Sequence, residues 1–262
     1  MSKRVVALLM IVSFFAGAGA GVLGYVWVIG GSGEASRDVS APTLSVEEAA
    51  PNDADPVSNE PTEEAAPSDA NAAEAVSDPV LYRIDSEESE VRFMLDEVLR
   101  GNPTTVVGHT NEIAGDIIID FANPANSQLG QIVINVRTLI TDNEFRNRAL
   151  RSEILESNRS EYEYEFADFT PTELIGLPES VEVGQTYSFQ IVGELRVRNI
   201  TNTVTFDATV TLESRDRISG SATTTVTRAD YNLTIPSVPG VANVSDEVVL
   251  EIDFVAEHVT AE

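Results

Sequence analysis

The chain has 262 residues, enough for one sizeable domain with appendages, and its net charge is −27 at pH 7. So acidic a chain argues against nucleic-acid partners and against docking on an anionic lipid surface, because both need basic side chains. Cysteine does not occur, which excludes disulfides, zinc–thiolate sites, cysteine nucleophiles and a lipid anchor on cysteine.

The first thirty residues have the pattern of a membrane anchor. Residues 5–29 carry no charge, and a helix of that length would reach about 37 Å, enough to cross a hydrocarbon core with some tilt. Lys3 and Arg4 precede the span, which predicts a cytoplasmic N-terminus and a folded domain outside the cytoplasm, periplasmic or extracellular. A cleaved signal peptide and a secreted protein are the alternative, because the small residues at 16–20 resemble a cleavage site. Cleavage there would leave GVLGYVWVI exposed, so we favour residues 1–30 as a single-pass transmembrane helix, a signal anchor.

The amino-acid composition changes after the predicted anchor. Residues 31–79 are dominated by Ala, Glu, Asp, Pro and Ser and contain no aromatic residue. Such a segment cannot bury enough apolar surface to offset the entropy lost on ordering. Residues 31–79 are therefore predicted to be a disordered acidic linker that acts as a tether.

The remainder, residues 80–262, is predicted to be the folded domain. Its apolar residues recur with period two, as expected of strands with one buried face. These strands are predicted at 81–84, 89–95, 105–110, 161–166, 187–197, 202–212, 219–227 and 246–259. Turn signals separate them, and a strand–helix–strand rhythm is lacking. The pattern predicts an all-β fold, an antiparallel barrel or sandwich.

The stretch 113–152 is the most informative part of the domain. Alternation over 113–121 and again over 132–136 predicts two strands, and Asn123-Pro124 between them predicts a turn, so the strands should form an antiparallel hairpin. Asp142 can then cap a short helix, in which apolar residues recur at roughly helical spacing.

Catalytic chemistry has few candidates in this sequence. Only His109 and His258 are present, far apart and without a metal-ligand spacing. The carboxylates mostly occupy the polar positions of alternating strands; Glu161, Glu163 and Glu165 are examples, and a solvated strand face explains them. We predict a protein that is not an enzyme and has no metal site.

The apolar inward positions are the candidate ligand-binding residues. They are Phe93, Ile117, Ile119, Ile134, Phe166, Phe189, Phe206, Ile252 and Phe254. In a small barrel such side chains fill a solid core, whereas in a wider one they line a cavity for a long apolar ligand. Alternation cannot separate these two cases, since both require the same inward face.

Several blocks of the domain together resemble the YceI-like family. The run from Gly115 reads G-x-I-x-I-D, then N-P-x-x-S, then I-x-V-x-T-L-x-T-D-N-x-x-R-x-x-x-L-R-S. Tyr82-x-Ile84-Asp85, Gly193-x-Leu195-x-Val197 and Arg228-x-Asp230-Tyr231-x-Leu233 are similar to other blocks of that family. The resemblance covers about residues 82–256. It implies a lipocalin-like β-barrel with one short helix that binds a polyisoprenoid lipid.

The chain departs from the family pattern at two places. Ala149 stands where the family often has His before Leu-Arg-Ser, and Arg198-Asn199 stands where it often has His-Gly before Val-Thr. Asn tolerates the left-handed conformation that Gly would supply, so the second turn should survive. Neither place therefore offers the histidine that could contact a polar head group. The loop 234–245 is expected near the barrel mouth, where it could act as a gate.

The resulting hypothesis is a membrane-tethered barrel that carries or stores an isoprenoid or quinone-like lipid, without catalysis. Its partners would be the apolar lipid and, through residues 5–29, the membrane. The alternative is a solid-core barrel that acts as an interaction or stress-protection module without a ligand.

Overall fold

The computed structural model describes residues 31–46 and 78–260. Within these residues we find no helix of sufficient length and apolarity to cross a bilayer. The predicted membrane span, residues 5–29, lies outside the described residues. Residues 47–77 of the predicted linker also lie outside them.

The described residues form one antiparallel sheet of thirteen strands. In chain order the strands are β1 Pro79–Ile84, β2 Glu90–Leu99, β3 Asn102–Thr110, β4 Ile113–Ala114, β5 Asp116–Asp120, β6 Gln128–Leu129, β7 Ile132–Asn135, β8 Phe166–Ile175, β9 Thr186–Val197, β10 Ile200–Leu212, β11 Arg217–Thr227, β12 Val241–Ala242 and β13 Glu247–His258. Two short α-helices interrupt them in this part of the chain, α1 Glu144–Ala149 and α2 Tyr162–Glu165. The all-β, antiparallel prediction is confirmed.

The sheet is curled, and one continuous segment of chain contributes strands near both of its ends. Its main path runs β4-β7-β8-β9-β10-β11-β13-β1-β5-β6. Only Gly115 separates β4, at one end of this path, from β5, next to the other end. One chain segment therefore pairs with β7 through Ile113 and with β1 through Asp116. Curling places the inward side chains of all these strands around one interior.

The predicted hairpin forms, with more breaks than the alternation indicates. Ile113 pairs with Ile134, but beyond Gly115 the chain turns to pair Ile117 with Leu129. A 3-10 turn, Pro124–Asn126, occupies the predicted turn. The cap of α1 is Asn143 and not Asp142, since the Asn143 side chain accepts the N–H groups of Phe145 and Arg146.

The strand predicted at 161–166 is wrong for most of its length. Residues 162–165 form α2, and β8 begins only at Phe166. The ring of Tyr162 stacks on that of Phe166, with centroids 4.7 Å apart, as i and i+4 residues can on a helical turn. Glu165 is fully buried, so the prediction that it lies on a solvated strand face is also wrong.

Buried Glu165 is held by groups from two parts of the chain, residues 36–37 and residues 135–137. The Ser36 backbone N–H donates to Oε1 at 2.8 Å and the Ser36 hydroxyl donates to Oε2. Asn135 Nδ2 donates to Oε1 at 3.3 Å, and Arg137 Nη2 lies 3.3 Å from Oε2. Burial raises the pKa of Glu165, but the hydrogen bonds from Ser36 and Asn135 and the positive charge of Arg137 outweigh it, so that the net pKa is lowered from the usual value of a glutamate.

Residues 31–46 thus lie on the domain, although their composition predicted a disordered linker. Besides Ser36, the Leu44 N–H donates to Asp116 Oδ2 at 3.1 Å, and the Leu44 side chain lies over Gly130. Gly33 lies against the guanidinium of Arg151. A few specific polar contacts order this segment, which offers little apolar surface of its own. We refer to residues 31–46 as the strap.

Candidate ligand-binding cavity

The interior of the sheet contains an apolar cavity. The space that the centre of a water molecule can occupy is about 120 Å³, and the whole void, including open solvent at its mouth, is about 1010 Å³. One water molecule needs only about 10–15 Å³ on the first measure, whereas close-packed cores rarely hold voids larger than a water. The interior is therefore hollow in this region.

The register of the strands builds the cavity wall in rows. Phe189, Ala208, Ala222 and Ile252 are successive partners across β9, β10, β11 and β13, and all four line the cavity. At one side of this row, toward the loop 176–185, the next row consists of Tyr187, Val210 and Phe254. The row after that consists of Leu212 and Ile218. Away from the mouth, Ile191 with Phe206 forms the innermost row. The opposite wall comes from strands β5 to β8.

Small residues in the wall keep this space open. Ala208 and Ala222 face each other across β10 and β11 in the middle of the cavity. Gly220 lies beneath the Phe254 ring, and a Cβ at Gly220 would come 2.9 Å from that ring and 2.3 Å from the Thr209 carbonyl oxygen. The Phe254 ring can therefore lie along the cavity wall, which leaves the middle of the interior empty.

We place the mouth of the cavity at the loop 176–185 between β8 and β9, because every residue of this loop is at least partly exposed. Leu177, Pro178 and Val181 of this loop line the cavity. Gly176 and Gly184 bound it with φ of +83° and +86°, a left-handed conformation that favours glycine. The expectation that residues 234–245 gate the mouth is wrong, since none of them lines the cavity. That loop instead carries β12, which pairs with β2.

The wall offers an occupant almost no polar partner. Among the lining residues, polar side chains belong only to Ser127, Gln128 and Tyr187. Ser127 Oγ accepts the Asp120 N–H at 3.1 Å, and the Tyr187 hydroxyl oxygen accepts the Glu182 N–H at 2.8 Å. Because burying an unpartnered polar group is costly, the cavity selects against a polar occupant. Apolar cavities stay dry and take up apolar molecules.

Six of the nine predicted ligand-binding residues line the cavity. They are Ile117, Ile119, Phe189, Phe206, Ile252 and Phe254. Ile134 is buried in the main core without lining the cavity, and Phe166 is 1% exposed and stacked on Tyr162. Phe93 packs on a separate cluster formed by Leu139, Leu150 and Leu155. The structure places these three residues outside the cavity wall, since an inward position alone does not distinguish a hollow layer from a filled one.

Other lining residues were missed by the sequence reasoning. Leu177, Pro178 and Val181 lie in a loop, where alternation gives no signal. Tyr187 occupies an inward position of β9, where alternation could have identified it. Leu174 follows an irregularity of β8 between Pro171 and Glu173, which shifts the alternation and hides it.

Tyr187 is the one ionisable side chain among the residues that line the cavity; the histidines lie elsewhere. His109 makes backbone bonds to Ile140, and His258 lies 3.5 Å from Asp216 at the end of β13. Burial raises the pKa of Tyr82 to about 12, and its hydroxyl donates to the Arg215 carbonyl at 2.8 Å. Across residues 31–46 and 78–260, no group of three or more His, Cys, Asp or Glu residues could hold a metal ion.

Comparison with known proteins places this fold in a family. The model of the YceI-like domain matches residues 82–256. A polyisoprenoid binding domain from Saccharophagus degradans, implicated in plant cell wall breakdown, is similar with a TM-score of 0.54 and 16% identity, over 69% of this chain and 99% of that one. BcnA of Burkholderia cenocepacia is similar with a TM-score of 0.52 and 18% identity, over 66% and 98%. Curated proteins give no match.

These structural likenesses concern the fold, and the family match covers more than half of the chain. The YceI-like fold is a binding fold. This chain, with its curled antiparallel sheet and hollow interior, belongs to the YceI-like family.

Proposed function

We propose that the protein binds one apolar lipid chain, of the isoprenoid or quinone class, inside the cavity and acts as its carrier or store without catalysis. The observation that carries this proposal is the hollow interior with its almost wholly apolar wall. The similar domain from Saccharophagus degradans is described as polyisoprenoid binding, which supports the same ligand class.

The energetics favour an alkyl or prenyl chain over other occupants. Apolar surface removed from water contributes about 25 cal/mol per Å², and this wall supplies apolar contact on every side. A polar head group would find no partner among Ile191, Phe206 and Ala222. It would stay at the mouth, where Gln128 and Ser127 lie. The solid-core alternative is disfavoured because a filled barrel would leave no void of this size.

The proposed site of action is the outer face of a membrane. Residues 5–29 would span the bilayer, with Lys3 and Arg4 on the cytoplasmic side and the domain outside. Protease added to intact spheroplasts should cleave the chain within residues 47–77. If those residues are protected until the spheroplasts are lysed, the proposed orientation is wrong.

Lipid bound by the purified protein tests the proposed ligand. Full-length protein is isolated from membranes in parallel with a chain of residues 1–77, which keeps the predicted anchor but lacks the domain. Lipids extracted from both are identified by mass spectrometry. An isoprenoid or quinone enriched with the full-length protein, near one molecule per chain, supports the proposal. Identical lipid profiles from the two chains would refute it.

A further inference from the structure

The strap contacts the domain within two residues of the predicted membrane span. That span ends at residue 29, and the Gly31 carbonyl accepts hydrogen bonds from Arg148 Nη1 and Arg151 Nη2, each at 3.5 Å. Gly33 also lies against the Arg151 guanidinium, since a Cβ at Gly33 would come 2.7 Å from Nη1. Two residues of chain reach at most about 7 Å, and the head-group layer on each side of a bilayer is about 5–7 Å thick. With residues 5–29 in the bilayer, the strap therefore brings this part of the domain to the lipid head groups.

This part of the domain lies at the end of the sheet opposite the mouth. We call residues 144–160, which are α1 and the segment after it, the α1 end. From there the chain passes through α2 into β8, and β8 ends at Ile175, directly before the mouth loop 176–185. The ten residues of β8 correspond to about 33 Å. β9 returns over a similar length, and Arg198, which follows it, donates to the Ile154 carbonyl of the α1 end at 3.2 Å. The mouth and the α1 end are thus about one strand length apart.

The distribution of charge favours the same orientation. The chain as a whole is strongly acidic, with a net charge of −27, but residues 137–159 contain five arginines and four carboxylate residues. Within this segment Arg148 pairs with Glu144 at 3.0 Å. The mouth loop contains Glu179 and Glu182 and no basic residue. An anionic lipid surface repels carboxylates, whereas a surface close to neutral meets no such repulsion. The α1 end therefore suits a layer of phosphate head groups, and the mouth loop does not.

We propose that the strap holds the α1 end of the domain against the head groups of the bilayer that anchors the chain, so that the cavity opens away from that bilayer. The partner of this surface is the phospholipid head-group layer. This inference rests on the proposed function, because it takes residues 5–29 as the membrane span. The strap lies outside residues 82–256, so the orientation is a property of this chain and not of the YceI-like domain by itself. A lipid that leaves the cavity would emerge about 30 Å from the anchoring bilayer.

Fluorescence quenching by lipid head groups tests this orientation. Because the chain has no cysteine, Ser160→Cys at the α1 end and Ser180→Cys in the mouth loop each give a single site for a bimane label. Both serines are exposed. The labelled full-length proteins are placed in phosphatidylcholine nanodiscs that contain a lipid with a nitroxide on its head group, which quenches bimane only at close range. Strong quenching is expected for Ser160→Cys and little for Ser180→Cys. Equal quenching of the two, stronger quenching of Ser180→Cys, or none of either would overturn the orientation.

Variants of the strap give the matched comparison. Ser36→Glu places a second carboxylate beside buried Glu165, where the like charges repel each other, and should release the strap. Residues 31–77 would then tether the domain over roughly 35–40 Å, and quenching of the Ser160→Cys label should fall to the level of the Ser180→Cys label. Ser40→Glu adds the same charge at an exposed position of the strap and should leave the quenching unaltered. Unchanged quenching in folded Ser36→Glu protein would overturn the role of the strap.

A second release variant covers the case in which Ser36→Glu folds poorly. Gly33→Leu forces a side chain into the Arg151 guanidinium at a φ of +80°, and it should lower the quenching of the Ser160→Cys label in the same way. Unchanged quenching in this variant would also count against the strap.

Failure of this inference and failure of the proposed function have different signatures. Protein that carries extractable isoprenoid, but whose Ser160→Cys label is quenched no more than its Ser180→Cys label, would refute the orientation alone. Protein that separates from the nanodiscs during gel filtration would refute the membrane span and the orientation together.

Discussion

Ala208 of β10 lies directly opposite Ala222 of β11, and both line the same apolar cavity. Two of the smallest side chains therefore face each other in the row where a packed core would need large ones. The Phe189 and Ile252 side chains complete this row without closing it. Their arrangement suggests that the cavity can be filled by substitution at one position.

Replacing Ala222 with Leu should abolish lipid binding without loss of stability. The larger side chain would occupy the space of the ligand, and filling an existing void adds contacts instead of forcing neighbours apart. Lipid recovered by extraction should fall to background while the melting temperature is unchanged or higher. Ser221→Leu, on the other face of β11, is the control and should retain lipid. A folded Ala222→Leu protein that still carries a full complement of lipid would contradict the assignment of the cavity.

Two phenylalanines should differ in what they contribute to the ligand-free protein. Phe166 is 1% exposed in packed surroundings, so Phe166→Ala should reduce the free energy of unfolding by about 3–5 kcal/mol. Phe189 lines the void, and Phe189→Ala should cost less because one side of its ring lacks protein contacts. Denaturant unfolding of delipidated protein measures both. Phe189→Ala should lose more of the retained lipid than Phe166→Ala. Equal stability losses in the two variants would indicate a filled core at Phe189.

A charge at the mouth should weaken binding only when it faces the cavity. Val181 lines the cavity, whereas Val183 in the same loop is 48% exposed and does not. Val181→Asp would place a carboxylate on an apolar wall, where its desolvation is costly. Competition with a fluorescent prenol should show weaker binding for Val181→Asp and unchanged binding for Val183→Asp. Equal effects of the two substitutions would mean that the loop does not form the mouth.

Strap contacts should stabilise the domain in a pH-dependent way. The pKa of Glu165 is lowered in the folded protein, so its contribution to stability is fully present above the usual pKa of a glutamate and is lost as the pH falls through the folded value. Glu165→Gln should flatten the dependence of the unfolding free energy on pH below about 4.5. The change is measured by denaturant titration at successive pH values, and a slope identical to that of the unmutated protein would contradict it.

The Ser36 hydroxyl, on the strap, donates a hydrogen bond to the Glu165 carboxylate. Ser36→Ala leaves a lone pair of a buried carboxylate without its partner and should cost about 1–3 kcal/mol. Ser40→Ala, at an exposed position of the strap, is the control and should be neutral.

Removing the whole strap should also destabilise the domain, because its contacts with Glu165 are lost. A chain of residues 78–262 should therefore unfold at a lower denaturant concentration than a chain of residues 31–262. Equal midpoints would mean that the strap contributes nothing to stability.

Local patterns in the sequence predicted the strands well where one face is buried along the whole element. Over β9 and β10 the alternation fixes both the strands and their inward residues, Phe189 and Phe206 among them. The same alternation failed at residues 162–165, because a helical turn also brings Tyr162 onto Phe166. Period two is a weak signal over so few residues.

The features that the sequence did not reveal depend on contacts between distant residues. Ser36 meets Glu165 across 129 positions of the chain, so neither the ordered strap nor the buried carboxylate has a local signature. The hollow interior depends on whether the side chains of several strands together fill the space they enclose. Phe93 and Phe189 look alike in the sequence, yet one packs on a closed cluster and the other faces a void.

Electron density inside the sheet of lipid-loaded protein tests the central claim most directly. Crystals of full-length protein that retains extractable lipid should show continuous, chain-like density in contact with Ile117, Phe189 and Ile252, with one end at Val181 and the other at Phe206. An interior that is empty or filled by side chains, in protein that demonstrably carries lipid elsewhere, would contradict it.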